Sequence, residues 1–149
     1  LEETVRDREV IDDLSRLVVP GLFEVGEEPQ LADAYGVQWT PTFIVADENG
    51  KEWYRWVGFL PAQEFRAQLE LGLGRAAFGQ GRFDVAERHL DTVLSSFSRT
   101  EYAPEARYWL GVTRYKLSHD PAELTRTWED MSRHYPDSIW TLKASAWRP

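Results

Sequence analysis

The chain has 149 residues, no cysteine and a formal net charge of −8 at pH 7. Its hydrophobic content of 42%, with 13% aromatic residues, is typical of a globular protein and excludes a disordered chain. The lack of cysteine excludes disulfides, thiolate zinc sites and a thiol nucleophile within these residues.

The negative charge is unevenly distributed along the chain. Residues 1–60 carry 13 acidic and 5 basic side chains, a net of −8, and residues 61–149 carry 12 of each. An acidic half and a balanced half offer no basic surface for nucleic acid or an anionic membrane. No apolar run approaches the roughly 18 residues of a membrane span, so no direct membrane insertion is expected.

The N-terminal part predicts a helix, a strand and a second helix. Residues 1–17 form an amphipathic pattern with five apolar side chains on roughly one side. Residues 18–25 are rich in β-forming types and predict a strand interrupted at Pro20. A short helix follows, with Pro29 in its first turn and Gly36 at its end. The apolar residues of the first helix are Leu1, Val5, Val10, Leu14 and Leu17.

Residues 42–59 predict a β-hairpin. "TFIVAD" is a compact buried strand, Asn49-Gly50 forms the turn, and "KEWYRWVGF" is the second strand. Trp56 lies three positions after Trp53, an odd offset, which predicts that the two lie on opposite faces of that strand. With the preceding elements, the order indicates an α/β layer with a mixed parallel and antiparallel sheet.

From Leu60 onward the sequence predicts only helices. One long periodic segment runs from Pro61 to Gly81, and four more helical segments follow, separated by prolines. The Leu73-Gly74 pair recurs as Leu110-Gly111, an offset of 37 residues. Such an internal repeat predicts stacked helical hairpins.

Residues 61–146 resemble the tetratricopeptide (TPR) repeat family, and the first copy fits best. In the second copy, Ser118 and His119 replace the glycine between the helices. In this family the first helix of each pair forms a concave binding face, which implies a protein-binding role for five residues. The alternative is that the two tyrosines pack against the neighbouring domain or a capping helix. The five are Arg75, Tyr108, Val112, Tyr115 and Lys116.

Residues 1–71 resemble the C-terminal two-thirds of a thioredoxin-fold domain. Four motifs carry the resemblance: "YGV", "TPTF", the hairpin "DENGKE" and "VGF" at the end of the last strand. The resemblance implies a cis Pro41, with Trp39 and Thr40 beside it in a loop that binds an extended peptide in the manner of strand addition.

The Cys-x-x-Cys motif and the first strand of that family are expected upstream of Leu1. The first strand would be central in the sheet, and a sheet without it exposes unpaired edges. Three explanations are open, of which we favour the first: a longer protein, a neighbouring chain that supplies the strand and completes the sheet, or a degenerate domain.

The sequence therefore predicts an α/β plus all-α chain, a partial thioredoxin-like fold followed by a TPR-like helical hairpin array. The predicted domains are residues 1–71 and 72–149, with a shared helix at about 61–80. The expected function is a redox-inactive protein-binding or scaffold module. One alternative is a thiol-disulfide oxidoreductase or redox chaperone with an upstream Cys-x-x-Cys, and another is a structural subunit of a larger complex.

No catalytic residue, metal site or cofactor is predicted within the chain. The three histidines, His89, His119 and His134, lack the spacing of metal ligands. The expected partner is a protein or an extended peptide. The compartment is left open, with the cytoplasm favoured over the periplasm.

Overall fold

The computed structural model describes residues 2–149. Within them the chain forms eight α-helices, a two-stranded sheet and a final 3-10 helix. The elements are α1 (Glu2–Arg6), α2 (Arg8–Leu17), α3 (Pro29–Ala34), β1 (Thr42–Ala46), β2 (Glu52–Val57), α4 (Ala62–Gly79), α5 (Phe83–Ser96), α6 (Ala103–Ser118), α7 (Ala122–His134), α8 (Ile139–Ala144) and the 3-10 helix Ser145–Trp147.

The predicted N-terminal helix is divided in two at Asp7. Its extended backbone ends α1, and its carboxylate caps α2 by accepting hydrogen bonds from the N–H groups of Glu9 and Val10. Val10 is completely buried, as the apolar pattern predicted, whereas Leu1 of the same pattern lies outside the described residues. Arg66 of α4 holds α2 in place through an ion pair with Asp13, 2.6 Å long.

The predicted strand at residues 18–25 is wrong, because the segment has no regular structure. A strand requires a hydrogen-bonding neighbour, and the sheet of the described residues contains only β1 and β2. Pro20 also removes one of the donors that such pairing would use. Apolar side chains are consequently left in solvent, with Val19 99%, Leu22 81% and Phe23 61% exposed.

The predicted hairpin is confirmed, but the predicted mixed sheet is not. β1 and β2 pair antiparallel, with Thr42 opposite Val57 and Phe43 opposite Trp56. Among the described residues no parallel strand joins them, because the segment at 18–25 that would have provided one is not a strand. Gly50 closes the turn at φ +77°, a conformation that favours glycine.

A β-bulge at Trp53 overturns the prediction that Trp53 and Trp56 face opposite sides. Ala46 pairs with Glu52 and Val45 pairs with Tyr54, so Trp53 is an extra residue in β2. The bulge breaks the alternation of side chains. Both tryptophan rings therefore reach α4, Trp53 at Gly79 and Trp56 at Gly72.

α4 is the central element, because it packs against the sheet and also begins the helical array. Phe65 of α4 is buried and makes edge-on ring contacts with Phe43 and Trp56 of the hairpin. On its other side, Leu71 is fully buried in a cluster with residues of α5 and α6. That cluster consists of Ala67, Leu71, Leu90, Val93, Phe97, Ala106 and Leu110.

The two helical hairpins, α4–α5 and α6–α7, repeat the same close contact. A Cβ added to Gly74 would lie 2.9 Å from Leu90, and one added to Gly111 would lie 2.2 Å from Thr127. In both hairpins the side chain opposite the glycine lies sixteen positions later in the chain. The glycines therefore let the helices approach within each pair.

The ends of α4 and α6 also correspond. Gly81 follows α4 at φ +73°, and His119 follows α6 at φ +57°, a left-handed conformation that is uncommon for a residue other than glycine. His119 is thus found at the position where the sequence lacks the expected glycine. After α7, the short α8 packs on α6 and α7 and leaves Ile139 and Leu142 exposed.

Candidate functional site

The loop between α3 and β1 contains three of the predicted binding residues in a row. The Thr40-Pro41 peptide bond is cis. The Thr42 hydroxyl donates a 2.6 Å hydrogen bond to the carbonyl of Trp39, and the N–H of Gly58 donates one of 2.9 Å to the carbonyl of Pro41. These bonds fix the loop to the end of the hairpin.

Trp39 lies in solvent at the rim of a shallow cavity. Its side chain is 72% exposed, and the cavity has a volume of about 230 Å³. Two further exposed apolar side chains, Val57 and Phe59, belong to the end of β2 and the residues after it. The cavity is lined by Val25, Val37, Gln38, Trp39 and Thr40.

One edge of β1 has no strand beside it among the described residues. In an antiparallel pair, alternate residues direct both main-chain groups to the partner strand. Pro41 accepts from Gly58, so Phe43 and Val45 also face β2, and the main-chain groups of Thr42 and Ile44 face away from it. We call the side of β1 formed by Thr42 and Ile44 the outer edge.

Of the five residues predicted on the helical face, Arg75 and Tyr108 already have partners within the chain. The guanidinium of Arg75 forms an ion pair with Glu105 and lies 3.9 Å from the ring centroid of Trp109. Tyr108 stacks on Trp147 of the C-terminal 3-10 helix, with ring centroids 4.6 Å apart. For Tyr108, the alternative of packing against a capping helix therefore applies.

The remaining three residues lie along the second half of α6. Val112 and Tyr115 are half-buried, and Lys116 is exposed. No hydrogen bond, ion pair or ring contact joins any of the five to the loop residues 39–41 within the described part of the chain. The structure therefore presents a loop and a helical surface as two separate sets.

A polar cluster around Arg75 was not predicted from the sequence; its other members are Glu105, Tyr54 and Gln68. Arg75 and Glu105 lie 30 positions apart, and no local sequence pattern links them. Burial raises the pKa of Glu105 above its ordinary value, and the positive charge of Arg75 opposes the rise. Burial also raises the pKa of Tyr54, and the negative charge of Glu105 raises it further. A hydrogen bond that Gln68 donates to the Tyr54 hydroxyl lowers it. The cluster joins the hairpin, α4 and α6.

The described residues contain no group of three His, Asp or Glu side chains that could hold a metal ion. His89 instead lies 2.6 Å from the carboxylate of Glu70 at the contact between α4 and α5. Helices long and apolar enough to cross a membrane are likewise not found in the described part of the chain.

Residues 4–72 match the family model of a thioredoxin-like domain. The matched segment includes α2, α3, the hairpin and the first half of α4, and it is a thioredoxin-like domain in which the described sheet has two strands. This match ends in α4 and does not extend over the helical hairpins that follow. No curated protein and no solved structure shows significant similarity to the chain.

Proposed function

We propose that the chain is a protein-binding module, and that its thioredoxin-like domain accepts an extended segment of a partner at the outer edge of β1. The observation that carries the proposal is the edge at Thr42 and Ile44, which has no neighbouring strand among residues 2–149, beside exposed Trp39. Unpaired strand edges accept extended peptides through main-chain hydrogen bonds, and aromatic side chains beside them supply affinity. The 149 residues contain no thiol for exchange chemistry.

The helical part is proposed to be a TPR-like array that offers a second partner surface. The repeated glycine contact in the two hairpins and the left-handed residues at Gly81 and His119 support this assignment. Because Arg75 and Tyr108 are engaged within the chain, the proposed surface consists of Val112, Tyr115 and Lys116.

The edge proposal is tested by selecting short random peptides on the immobilised protein and measuring their affinity for three proteins. The proteins are the wild type, Trp39→Ala and the control Leu142→Ala, which removes an exposed apolar side chain on α8. We expect Trp39→Ala to weaken binding about tenfold or more, as for an aromatic interface anchor, and Leu142→Ala to leave it unchanged.

Hydrogen exchange then locates the bound segment. We expect the amides of Thr42 and Ile44 to gain protection when peptide binds, because strand addition gives them acceptors. If selection yields no peptide, or if the protected amides lie outside β1 and the loop before it, the edge is not the binding site.

A second candidate function is thiol-disulfide exchange, which the thioredoxin-like match of residues 4–72 favours. It requires two cysteines outside the 149 residues, since these contain none. The measurement is the intact mass of the native protein together with the coding sequence upstream of Leu1. A heavier protein with a Cys-x-x-Cys would place this function first, and a mass equal to that of the 149 residues would exclude it.

A further inference from the structure

We infer that the partner segment is basic, carrying Lys or Arg side chains at the end that lies beside Trp39. The inference rests on the proposed function and adds the chemical class of the partner. Its starting point is the composition of β1, whose five residues, "TFIVA", include no charged side chain. Edge strands usually carry charge or proline that discourages pairing, and the outer edge has neither within the strand.

Acidic residues stand beside one end of this edge. Val25, which lines the cavity together with Trp39, belongs to a tight turn in which the N–H groups of Glu27 and Glu28 both donate to the carbonyl of Glu24. Three exposed glutamates, Glu24, Glu27 and Glu28, lie within three positions of Val25 in this segment. In the described part of the chain none of the three carboxylates has an ion-pair partner.

The other end of β1 is closer to electrically balanced. Asp47 follows the strand, but its oxygens already accept from the indole of Trp53 and from the main-chain N–H groups of Asn49 and Lys51. The Lys51 ammonium lies 4.1 Å from the ring centroid of Trp53. With exposed Glu48 counted, this end carries two carboxylates and one ammonium, against three carboxylates at the Trp39 end, and this difference sets the position of the basic residues.

The same charge distribution argues against a second copy of this chain as the occupant. Pairing two outer edges would bring together two thioredoxin-like domains, and residues 1–60 of each copy carry a net charge of −8. Repulsion between like charges opposes such a dimer, whereas a basic segment gains from the same field.

Three synthetic peptides that differ only in charge test the inference. Each has an alternating Val and Thr core long enough to pair with β1, followed at one end by three Lys, three Gln or three Glu. A second set carries the same residues at the opposite end, so that parallel and antiparallel pairing are both sampled. Binding to the full 149-residue chain is measured by fluorescence anisotropy.

We expect the Lys peptide to bind about tenfold more tightly than the Gln peptide, and the Glu peptide most weakly. Raising the salt from about 0.05 M to about 0.5 M should remove most of the difference, because exposed charges are screened. The triple variant Glu24→Gln, Glu27→Gln and Glu28→Gln should lose the preference. The matched control, with the same change of net charge on exposed residues of the helical part and its turns, is Asp84→Asn, Glu129→Gln and Asp137→Asn.

The outcomes separate this inference from the proposed function. If the three peptides bind equally at the outer edge, or the control triple loses the preference as fully as the test triple, the charge inference is wrong and the binding function stands. If no peptide binds, the proposed function fails as well. Concentration-dependent dimerisation that competes with the peptides would identify a second copy as the occupant and overturn the basic-partner inference.

Discussion

The carboxylate of Glu105 lies half-buried at the junction of the hairpin and the helices. Its side chain is 17% exposed, and burial raises its pKa although Arg75 lies beside it. The ion pair therefore offsets only part of the cost of removing the carboxylate from water. Glu105 binds a proton more readily in the folded chain than in the unfolded chain.

Replacement of Glu105 by glutamine tests this balance. Because the pKa of Glu105 is raised in the folded chain, protonation of Glu105 stabilises the fold increasingly as the pH falls through that pKa. The gain in stability stops growing near pH 4.5, the ordinary pKa of a glutamate. The Glu105→Gln variant lacks this group. We expect the free energy of unfolding of the wild type, minus that of the variant, to increase as the pH falls from about 7 toward 4.5.

Urea denaturation at several pH values measures this difference. The control is Glu129→Gln, which removes an exposed carboxylate from α7. A Glu105→Gln difference that stays constant, or that decreases toward acid, would show that Arg75 outweighs the burial of Glu105.

At the scale of elements, the close contact between α6 and α7 depends on Gly111. A Cβ at this position would lie 2.2 Å from the hydroxyl oxygen and 2.7 Å from the Cβ of Thr127. Thr127 is buried, and its hydroxyl already donates to the carbonyl of Glu123, so it has little freedom to move. The two helices must separate to accept even one methyl group.

We expect Gly111→Ala to lower the free energy of unfolding by about 2 kcal/mol, because overpacking outweighs the better helix propensity of alanine. Thermal unfolding followed by circular dichroism measures the loss. The matched control is Gly26→Ala, whose added Cβ has no heavy atom within 4 Å and should change stability by less than about 0.5 kcal/mol. Equal effects of the two changes would mean that the helices tolerate the methyl group.

Most elements could be predicted because local signals mark them. Pro29 begins α3, the Asn49-Gly50 turn joins the hairpin, and the prolines and apolar periodicity separate the long helices. Two features could not be predicted. The prediction of a strand at residues 18–25 was wrong because strand formation depends on a neighbouring strand, which local sequence does not describe. The bulge at Trp53 was not predicted because the register of two strands is set by their pairing and not by the spacing of residues in one strand.

The candidate site was predictable to a similar extent. The loop at Trp39 was found from the "WTPTF" motif, which carries its own local geometry. The engagement of Arg75 by Glu105 was not found, because the partner belongs to another helix and no local pattern indicates it. Contacts between distant segments are decided by tertiary packing, which sequence patterns constrain only weakly.

At the scale of the whole molecule, α4 belongs to both the thioredoxin-like domain and the helical array. Leu71 lies in its middle, is completely buried and packs with residues of α5 and α6. One residue away, Gly72 contacts Tyr54 of the hairpin. Loss of α4 would remove the support of both parts, so the chain should unfold as one cooperative unit.

We expect Leu71→Ala to destabilise the chain by about 3 kcal/mol, and to shift the unfolding of the hairpin and the helices together. The amide NMR signals of β1 and β2 follow the sheet, and far-ultraviolet circular dichroism follows the helices. The two urea midpoints should coincide in the wild type and in the variant, while the exposed control Leu142→Ala should move neither by much. Separate midpoints would show that the two parts unfold independently.

The continuity of α4 also bears on how strongly a long partner would be held by the two proposed surfaces. Its 18 residues form a rigid rod of about 27 Å, which keeps the thioredoxin-like domain and the helical surface at a constant spacing and orientation. A partner that occupied one of the two proposed surfaces would therefore be presented to the other at high effective concentration. Two attachments that are weak separately can then give firm and reversible bivalent binding, provided that the partner's own linker spans the gap.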